Sequence, residues 1–459
     1  MKEGITAVLA RYAAELRGED IPEAVAAKTR QLLLDCLGNQ LGAYGEAQAG
    51  LLYDALDVAA TAGDCTVVGY GTRTSATLAG CMNGMLAHLL DMDDAHRDAL
   101  TKTGSAITPA VMAMAEARDA SGAEVLRSAV AGYEVMIRLG LAMNPGHRNR
   151  GFHSTATLGA FGAAVAAGCI LKLPASRMAD ALGIAGTQSA GLTAFINNAS
   201  MTKPFNVAKA VHSGILAARL AHAGYRGPPD VLESGEGYFR AYTDQCDTGV
   251  LLEGLGERYR LLESGFKPHA ACRYAHAPID AAVELMGRHG FEAGDIAAID
   301  VYVSELANRQ SNFYDPETVA SAQGSTPFVI AASVAARTAS LSIADVQRAL
   351  ADPEAYALHR RVDLHVDPGM PYIGRGARIV VRLRDGRELE HGIALPRGEP
   401  ENPMSDGEIE QKFMRQAQAA VGAAQAGAIR DQVAALEAQR AVRSLMRLCV
   451  ARNERQQAA

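Results

Sequence analysis

The sequence predicts a mainly α fold with an α+β part, in which a large all-helical domain is formed by both chain ends and a smaller α+β lid domain is inserted between them. Three observations support this prediction. Apolar residues recur at helical spacing, interrupted by Gly and Pro, through about the first 260 residues. Alternating, strand-like segments follow, and from Ser405 the pattern is helical again. We therefore expect a helical domain of residues 1–260 and 398–459 and a lid domain of residues 261–397.

The predicted helices of the first domain have small apolar faces. Asp20-Ile21-Pro22-Glu23 provides an N-cap and an early proline before the apolar run that ends at Leu34. Between Ala156 and Leu173, Gly and Ala recur at helical spacing, which favours a closely packed, buried helix over a membrane span of about 20 residues. The further predicted helices span residues 74–91, 105–118, 122–142, 154–171, 176–189 and 203–223.

The lid domain is predicted from three strands and the helices between them. Residues 299–303 alternate in polarity like a half-buried strand. Residues 378–383 and 388–394 flank Asp385-Gly386, a dipeptide typical of a tight β-hairpin turn. Helical patterns span residues 275–289, 325–339 and 343–350.

Composition disfavours several classes of function. The chain is 49% hydrophobic with only 5% aromatic residues and no Trp, which disfavours the stacking surfaces of single-strand nucleic-acid binding. Its net charge of −7 disfavours a phosphate-backbone partner. The seven cysteines are dispersed without a C-x-x-C pair, as reduced thiols are, and the N-terminal segment lacks a signal-peptide pattern. We expect a cytoplasmic protein with no nucleic-acid partner and no membrane partner.

An acidic cluster ends an otherwise apolar predicted helix. It contains Asp91, Asp93, Asp94, His96 and Asp98 within the segment 91–98. Ionised groups are costly to bury unless they are paired or bind something. Three interpretations remain open: the cluster holds a divalent cation, it orients a catalytic His, or it caps helices and accepts hydrogen bonds from backbone amides.

Two helix starts carry candidates for proton transfer and anion binding. In Gly151–Thr155, a Ser or Thr cap would leave His153 at the mouth of a helix, where backbone N–H groups attract anions. His153 is a candidate general base, and the alternative is a His with a structural hydrogen bond. In Met201–Asn206, Thr202 is the expected cap, and Lys203 adds a positive charge where the helix dipole disfavours one. That placement favours a bound anion, and the alternative is a solvated surface Lys.

A fourth segment, residues 266–276, lies at the predicted domain junction, where small-molecule clefts often form. Lys267 and Arg273 are candidates for carboxylate binding, and Cys272 or His269 for proton transfer. The four segments together supply several cations, one or two histidines and an acidic anchor, and the sequence has no phosphate loop or nucleophile elbow. Such a set suits proton abstraction next to a carboxylate, where cations stabilise the developing enolate charge.

These segments, in this order, resemble the MmgE/PrpD family, which includes 2-methylcitrate dehydratase, cis-aconitate decarboxylase and iminodisuccinate epimerase. The resemblance rests on Asp91-x-Asp93-Asp94, Gly151-Phe152-His153, Thr202-Lys203-Pro204 and Lys267 followed by Cys272. It implies a large helical domain with a smaller α+β lid, a homodimer, and catalysis without a metal or an organic cofactor.

The resemblance also assigns candidate residues. Asp91, His153, Lys203 and Lys267 match positions that line the active site of the family. Where the family usually has a His-Pro pair, this chain has Thr101-Lys102-Thr103-Gly104, so His96 or Lys102 is the candidate to take its place.

We therefore predict a cofactor-independent lyase, either a dehydratase or a decarboxylase, that acts on a small di- or tricarboxylate. His153 is the predicted base, Asp91 orients the proton-transfer network, and Lys203 is the third catalytic residue. The further predicted substrate-binding residues are Lys267, His96, Lys102, Cys272 and Arg273. The alternatives are an epimerase or isomerase on the same scaffold, a non-catalytic carboxylate-binding protein, and an isoprenoid synthase that holds magnesium with Asp93, Asp94 and Asp98.

Overall fold

Helices fill most of the chain as far as residue 252, as the apolar periodicity predicts. A computed structural model describes residues 4–197 and 200–451. The helices of this part are α1 (Ile5–Glu15), α2 (Glu23–Gly42), α3 (Ala47–Ala55), α4 (Ala76–Leu89), α5 (Gly104–Arg118), α6 (Gly122–Met143), α7 (Gly146–Asn149), α8 (Ser154–Ile170), α9 (Ala175–Thr187), α10 (Thr202–His222), α11 (Tyr238–Tyr242) and α12 (Thr248–Leu252).

Helix α8 lies at the centre of this part and packs against α5, α6 and α10. All of its residues are buried, which confirms the buried helix predicted from the Gly- and Ala-rich segment. Small residues let the neighbouring helices approach closely: a Cβ atom on Gly162 would lie 2.7 Å from Ile107 and 2.9 Å from Met136. Within the described ranges, no helix combines the length and the apolar character that crossing a membrane would require.

The C-terminal helices pack on the same core. They are α19 (Asp406–Val421), α20 (Ala423–Ala434) and α21 (Arg443–Leu448). Helix α19 lies along α2, where a Cβ atom on Gly38 would come within 3.1 Å of the ring of the fully buried Phe413. One apolar cluster therefore joins residues from both ends of the chain, from Leu9 to Cys449. The boundaries 1–260, 261–397 and 398–459 stay a prediction, and residues 452–459 lie outside the described part.

A second apolar cluster, between Ala271 and Leu383, surrounds a four-stranded mixed sheet. Its strands are β5 (Ile296–Val303), β6 (Val362–Val366), β7 (Ala377–Leu383) and β8 (Glu388–Ile393), in the order β6-β5-β7-β8. Strand β5 is parallel to β6 and antiparallel to β7, and β7 is antiparallel to β8. The helices of this region are α13 (His276–His289), α14 (Glu305–Ser311), α15 (Val319–Gly324), α16 (Thr326–Ala336), α17 (Ile343–Ala351) and α18 (Pro353–Leu358).

The hairpin and the central strand confirm the predicted strands, and the mainly α fold with an α+β part is confirmed with them. The turn of the β7–β8 hairpin contains Gly386 with φ 91°, a backbone angle that glycine adopts without strain. Strand β6 was not predicted. It lies at the edge of the sheet with only two of its five residues buried, so its alternation is too short and too exposed to stand out.

Two-residue strands connect distant segments elsewhere. Strands β1 (Cys65–Thr66) and β2 (Arg73–Thr74) form one pair. Strands β3 (Ala95–His96) and β4 (Ser264–Gly265) form another, and this pair brings the acidic cluster beside the segment that contains Lys267.

Candidate active site

A cavity of about 830 Å³ lies between the helical core and the region of the mixed sheet. It is lined by side chains from α4, α7, α8, α10 and the segments around residues 272 and 375. The predicted site residues on its wall are Asp91, Lys102, His153, Lys203, Cys272 and Arg273. The fold therefore brings together residues from all four segments singled out in the sequence.

Asp91 lies directly after α4 and is paired with two lysines. Its Oδ2 is 2.8 Å from Nζ of Lys203, and its Oδ1 is 3.0 Å from Nζ of Lys267. Burial opposes ionisation of Asp91, but the charges of Lys203 and Lys267 outweigh it and hold the pKa of this carboxyl well below its usual range. Asp91 is therefore a carboxylate that fixes the position of the Lys203 ammonium beside the cavity.

The backbone around Asp91 is held from three remote parts of the chain. Asp91 has φ 51°, a left-handed conformation that is unfavourable for a non-glycine residue. Lys267 donates to its carbonyl oxygen, and Gln323 Nε2 donates to the carbonyl of Leu90 at 2.6 Å. Lys412 Nζ, on α19, donates to the carbonyl of Met92 at 2.6 Å. Such a conformation persists where the surrounding contacts over-determine it, as they do here.

The remaining acids of the cluster have separate partners. Asp93 Oδ2 accepts from His88 Nδ1 at 2.6 Å, and Asp94 Oδ1 accepts from the backbone N–H of Gly104 at 2.8 Å. A Cβ atom at residue 104 would lie 2.3 Å from that Asp94 oxygen, so the close approach requires glycine. Asp98 is exposed at the surface.

The separate partners of these acids distinguish among the three interpretations of the acidic cluster. Asp93 orients a histidine and Asp94 accepts from the start of α5, as the orienting and capping interpretations expect. Across residues 4–197 and 200–451, no group of three or more His, Cys, Asp or Glu side chains is arranged to hold a metal ion. The acidic cluster therefore lacks the ligand set that the isoprenoid synthase alternative requires.

His153 is the N-cap residue of α8, so Ser154 begins the helix and does not cap it, contrary to the prediction. The His153 backbone N–H donates to the carbonyl of Gly191, and its Nδ1 is buried with no hydrogen-bond partner among the described residues. Burial and then the positive charges of the neighbouring residues hold the pKa of His153 well below its usual value. The ring is therefore neutral near pH 7, as a general base must be.

Helix α10 differs from the prediction in a similar way. Met201 is its N-cap residue, without a side-chain hydrogen bond, and Thr202 is its first helical residue. Lys203 is nevertheless at the predicted helix start. Its ammonium is compensated by Asp91, so Lys203 is not the solvated surface lysine of the alternative.

Two cations on the cavity wall have no carboxylate within 4.0 Å in the described part of the chain. One is Lys102, whose backbone N–H donates to Thr155 Oγ1 at 3.0 Å. Burial, together with the charges of Lys267 and Arg375, lowers the pKa of Lys102 to about 8. The other is Arg148 on α7, whose pKa is also lowered by burial. Partly buried cations without a carboxylate partner favour the binding of an anion.

Two further arginines share one buried carboxylate. Glu399 Oε1 accepts from Arg273 Nε at 2.9 Å and from Arg375 Nη1 at 2.6 Å. Burial opposes ionisation of Glu399, but Arg375 and Arg273 outweigh it and hold its pKa at about 2. Because both arginines line the cavity, this pair supplies one positive charge beyond that of Glu399.

Two predicted substrate-binding residues lie outside the cavity wall. Lys267 is fully buried behind Asp91, and its ammonium points to Asp91 rather than to the cavity. His96 lies in β3, where its Nδ1 accepts from the backbone N–H of Ala99 and its Nε2 is 3.5 Å from Glu263. The structure thus gives both residues protein partners in place of the open face that direct substrate binding needs.

The side chains on the cavity wall that were not predicted as site residues include His88, Arg148, Arg375 and Gln323. His88 has a local signal, because it is the only His, Asp, Glu, Lys or Arg of α4 and precedes Asp93 by five positions. Arg375 has none, because its pairing with Glu399 depends on how the chain returns after β8. Gln323 is on α15 and reaches the loop after α4 only through the packing of the two cores.

Comparisons with known proteins match both parts of the chain to one family. The MmgE/PrpD N-terminal domain model matches residues 7–250, and the MmgE/PrpD C-terminal domain model matches residues 269–438. A cis-aconitate decarboxylase of Aspergillus terreus is 27% identical over 95% of this chain and 94% of its own length. A cis-aconitate decarboxylase-like protein of Aspergillus oryzae is 28% identical over 97% of both chains. The human cis-aconitate decarboxylase is 25% identical over 90% of this chain and 88% of its own length.

Proposed function

The chain belongs to the MmgE/PrpD family, and from this premise we propose that it is a lyase that decarboxylates a small tricarboxylate without a cofactor. The curated relatives that support this proposal are cis-aconitate decarboxylases. At 25–28% identity they support the class of reaction and leave the identity of the acid to experiment.

The observation that carries the proposal is a set of five cations on the cavity wall, namely Lys102, Arg148, Lys203, Arg273 and Arg375. Lys203 shares Asp91 with a second lysine, and Arg273 shares Glu399 with a second arginine. Lys102 and Arg148 have no carboxylate within 4.0 Å among the described residues. A polyanion with several carboxylates would compensate these charges, whereas a neutral substrate would leave them unpaired in a largely buried site.

The same arrangement supports the chemistry. Loss of CO2 breaks a carbon–carbon bond and leaves its electron pair on the substrate, where a neighbouring carboxylate can share the negative charge. Lys203 and Lys102 stabilise that charge electrostatically. One proton must then form a new C–H bond, and His153, whose imidazole lies on the cavity wall, is the residue that transfers it.

The proposal is tested by incubating the enzyme in D2O with cis-aconitate, 2-methylcitrate and propane-1,2,3-tricarboxylate and following the products by NMR. Decarboxylation releases CO2 and places one deuterium on the protonated carbon. Loss of water without CO2 would instead identify a dehydratase, and exchange alone an epimerase. Dialysis against a chelator should leave turnover unchanged, and absence of turnover across a broad panel of acids would contradict the proposal.

Two variants test the assigned residues. His153→Ala and Lys203→Ala should each reduce kcat by about 10²-fold or more while the thermal unfolding transition is retained. Lys209→Ala is the matched control, because Lys209 is on the exposed face of the same helix α10 and does not line the cavity. Full activity of both site variants would contradict the assignment.

A further inference from the structure

We propose that Asp93, His88 and His153 form a proton relay that leads from the protein interior to the substrate. The inference rests on the proposed function and names the source of the proton that the reaction consumes. His153 is neutral at rest, because burial and the surrounding cations disfavour its charged form, so a second group must supply a proton to it.

His88 is the group that the geometry provides. It lies in the last turn of α4 and is 1% exposed. A carboxylate can only accept, so the 2.6 Å contact with Asp93 places a hydrogen on His88 Nδ1. This contact fixes the tautomer and the orientation of the ring, as a carboxylate does for a catalytic or metal-bound histidine elsewhere. His88 Nε2 is then the nitrogen that takes up and releases a proton.

The two imidazoles lie next to each other. Their ring centroids are 5.7 Å apart and their planes are inclined by 30°. His88 Nε2 and His153 Nδ1 are both buried and have no hydrogen-bond partner among the described residues. Buried polar atoms are almost always paired. The two nitrogens do not hydrogen-bond to each other in this structure, so the relay requires the adjacent rings to turn toward each other when the substrate is bound, as catalytic hydrogen bonds often tighten only in the substrate complex. His153 Nε2 remains as the nitrogen available to the cavity.

One proton moves from His88 through His153 to the substrate. The bond to the departing carboxylate breaks, CO2 leaves, and the substrate carbon takes the proton from His153 Nε2. His88 enters the step as an imidazolium paired with Asp93 and becomes neutral when its Nε2 proton passes to His153 Nδ1, while Asp93 keeps its hydrogen bond to His88 Nδ1 throughout. After product release, a proton from water returns to His153 Nε2 and the Nδ1 proton returns to His88. The charged groups around the two rings are Asp91, Asp93, Lys102, Arg148 and Lys203.

His88 is a positioning residue in this scheme, since it acts through His153. His88→Gln keeps a polar side chain of similar length but cannot pass a proton on. We expect kcat to fall by about 10²-fold and KM to change by less than about threefold. The rate of the natural enzyme should depend on the D2O fraction in a curved way, because two protons move, and this curvature should be lost in His88→Gln. His212→Gln is the matched control, since His212 lies on α10 away from the cavity wall.

A second variant keeps the test decisive if His88→Gln does not fold. Asp93→Asn retains an oxygen that accepts from His88 Nδ1 but removes the charge, and it should lower kcat by about tenfold and shift the alkaline limb of the pH profile to lower pH. Natural kcat, D2O dependence and pH profile in the folded variants would overturn the relay.

The relay also has a readout without turnover. In enzyme labelled with ¹⁵N-histidine, saturation with propane-1,2,3-tricarboxylate should shift the ring resonances of His88 and His153 together, and Asp93→Asn should uncouple them. Independent shifts in the natural enzyme would overturn the relay. Lack of turnover by the natural enzyme with coupled shifts present would contradict only the proposed function.

Discussion

Two parts of the cavity wall each combine one buried carboxylate with two cations, which are lysines in one part and arginines in the other. On the wall that follows α4, Asp91 is shared by Lys203 and Lys267. On the part of the wall near the mixed sheet, Glu399 is shared by Arg273 and Arg375. Arg97 also lies 3.5 Å from Glu399, but Asp98 and Glu401 compensate its charge. In each case one buried carboxylate holds two cations that lack another carboxylate, so each wall is left with one net positive charge.

The difference between the walls lies in what the cations can do. A lysine loses its proton readily when it is buried, and burial already lowers the pKa of Lys267. An arginine keeps its charge at any pH at which proteins fold, and its planar group fits a carboxylate with two parallel hydrogen bonds. The lysine wall, formed by Asp91, Lys203 and Lys267, can therefore lose positive charge when the pH rises or when its carboxylate is removed. The arginine wall, formed by Glu399, Arg273 and Arg375, keeps its charge under both conditions.

The largest effect is expected on the arginine wall. Glu399→Gln leaves two buried guanidinium groups without a carboxylate, and we expect the free energy of unfolding to fall by about 3–5 kcal/mol. Denaturant unfolding measures this change, with Glu401→Gln as the control, because Glu401 is an exposed neighbour that pairs with Arg97. If Glu399→Gln lowered the free energy of unfolding as little as the control does, Arg273 and Arg375 would not need Glu399 to compensate their charges.

A smaller loss of stability is expected from Asp91→Asn, because Lys267 can release its proton. The free energy of unfolding should fall by about 1–3 kcal/mol at pH 7. The unfolded chain keeps the Lys267 proton up to a pH of about 10.4, whereas the folded variant loses it earlier, so the stability of the variant should recover as pH rises. Denaturant unfolding of Asp91→Asn at pH 7 and pH 9 tests whether its stability rises with pH. An equal rise in the stability of Glu399→Gln would contradict the difference between the lysine wall and the arginine wall.

The smallest effect is expected for ligand binding by Lys102. Its charge depends on pH, as that of the lysine wall does, but it has no carboxylate within 4.0 Å among the described residues. Because the pKa of Lys102 is about 8, its charge and its attraction for a carboxylate should decline as pH rises through that value. We expect the affinity for propane-1,2,3-tricarboxylate to weaken by about tenfold between pH 7 and 9, the value of one charge-assisted contact. Calorimetric titration of Lys102→Arg should show a flatter dependence, and an unchanged dependence would contradict this role.

The elements that sequence analysis predicted are those with local signals. Helix α8 and the β7–β8 hairpin follow from periodicity and from the Asp385-Gly386 turn, which depend on neighbours in sequence. His153 and Lys203 were predicted because each stands at a helix start, although the caps themselves were shifted by one residue.

The features that escaped prediction depend on contacts between distant residues. Arg273 and Glu399 are 126 positions apart, and neither residue alone shows that one carboxylate will hold two arginines. His88 belongs to an apolar helix face, where a histidine is more often structural, and its role emerges only beside His153. Lys267 was predicted to bind substrate, but it is fully buried behind Asp91, and that placement depends on the packing of the junction.

The contact between Lys412 and the backbone of Met92 has a consequence for how the protein is made. The two residues are 320 positions apart, and Lys412 also pairs with the buried Asp35 at 2.5 Å. At a synthesis rate of about 5–20 residues per second, tens of seconds separate the two segments as they leave the ribosome. From the synthesis of Lys203 until that of Lys412, the nascent chain carries Asp91, both relay histidines and Lys203, yet Asp35 lacks its cation. The cavity is thus among the last parts of the molecule to be completed, and a chain released before α19 would contain those residues without the anchor that fixes their loop.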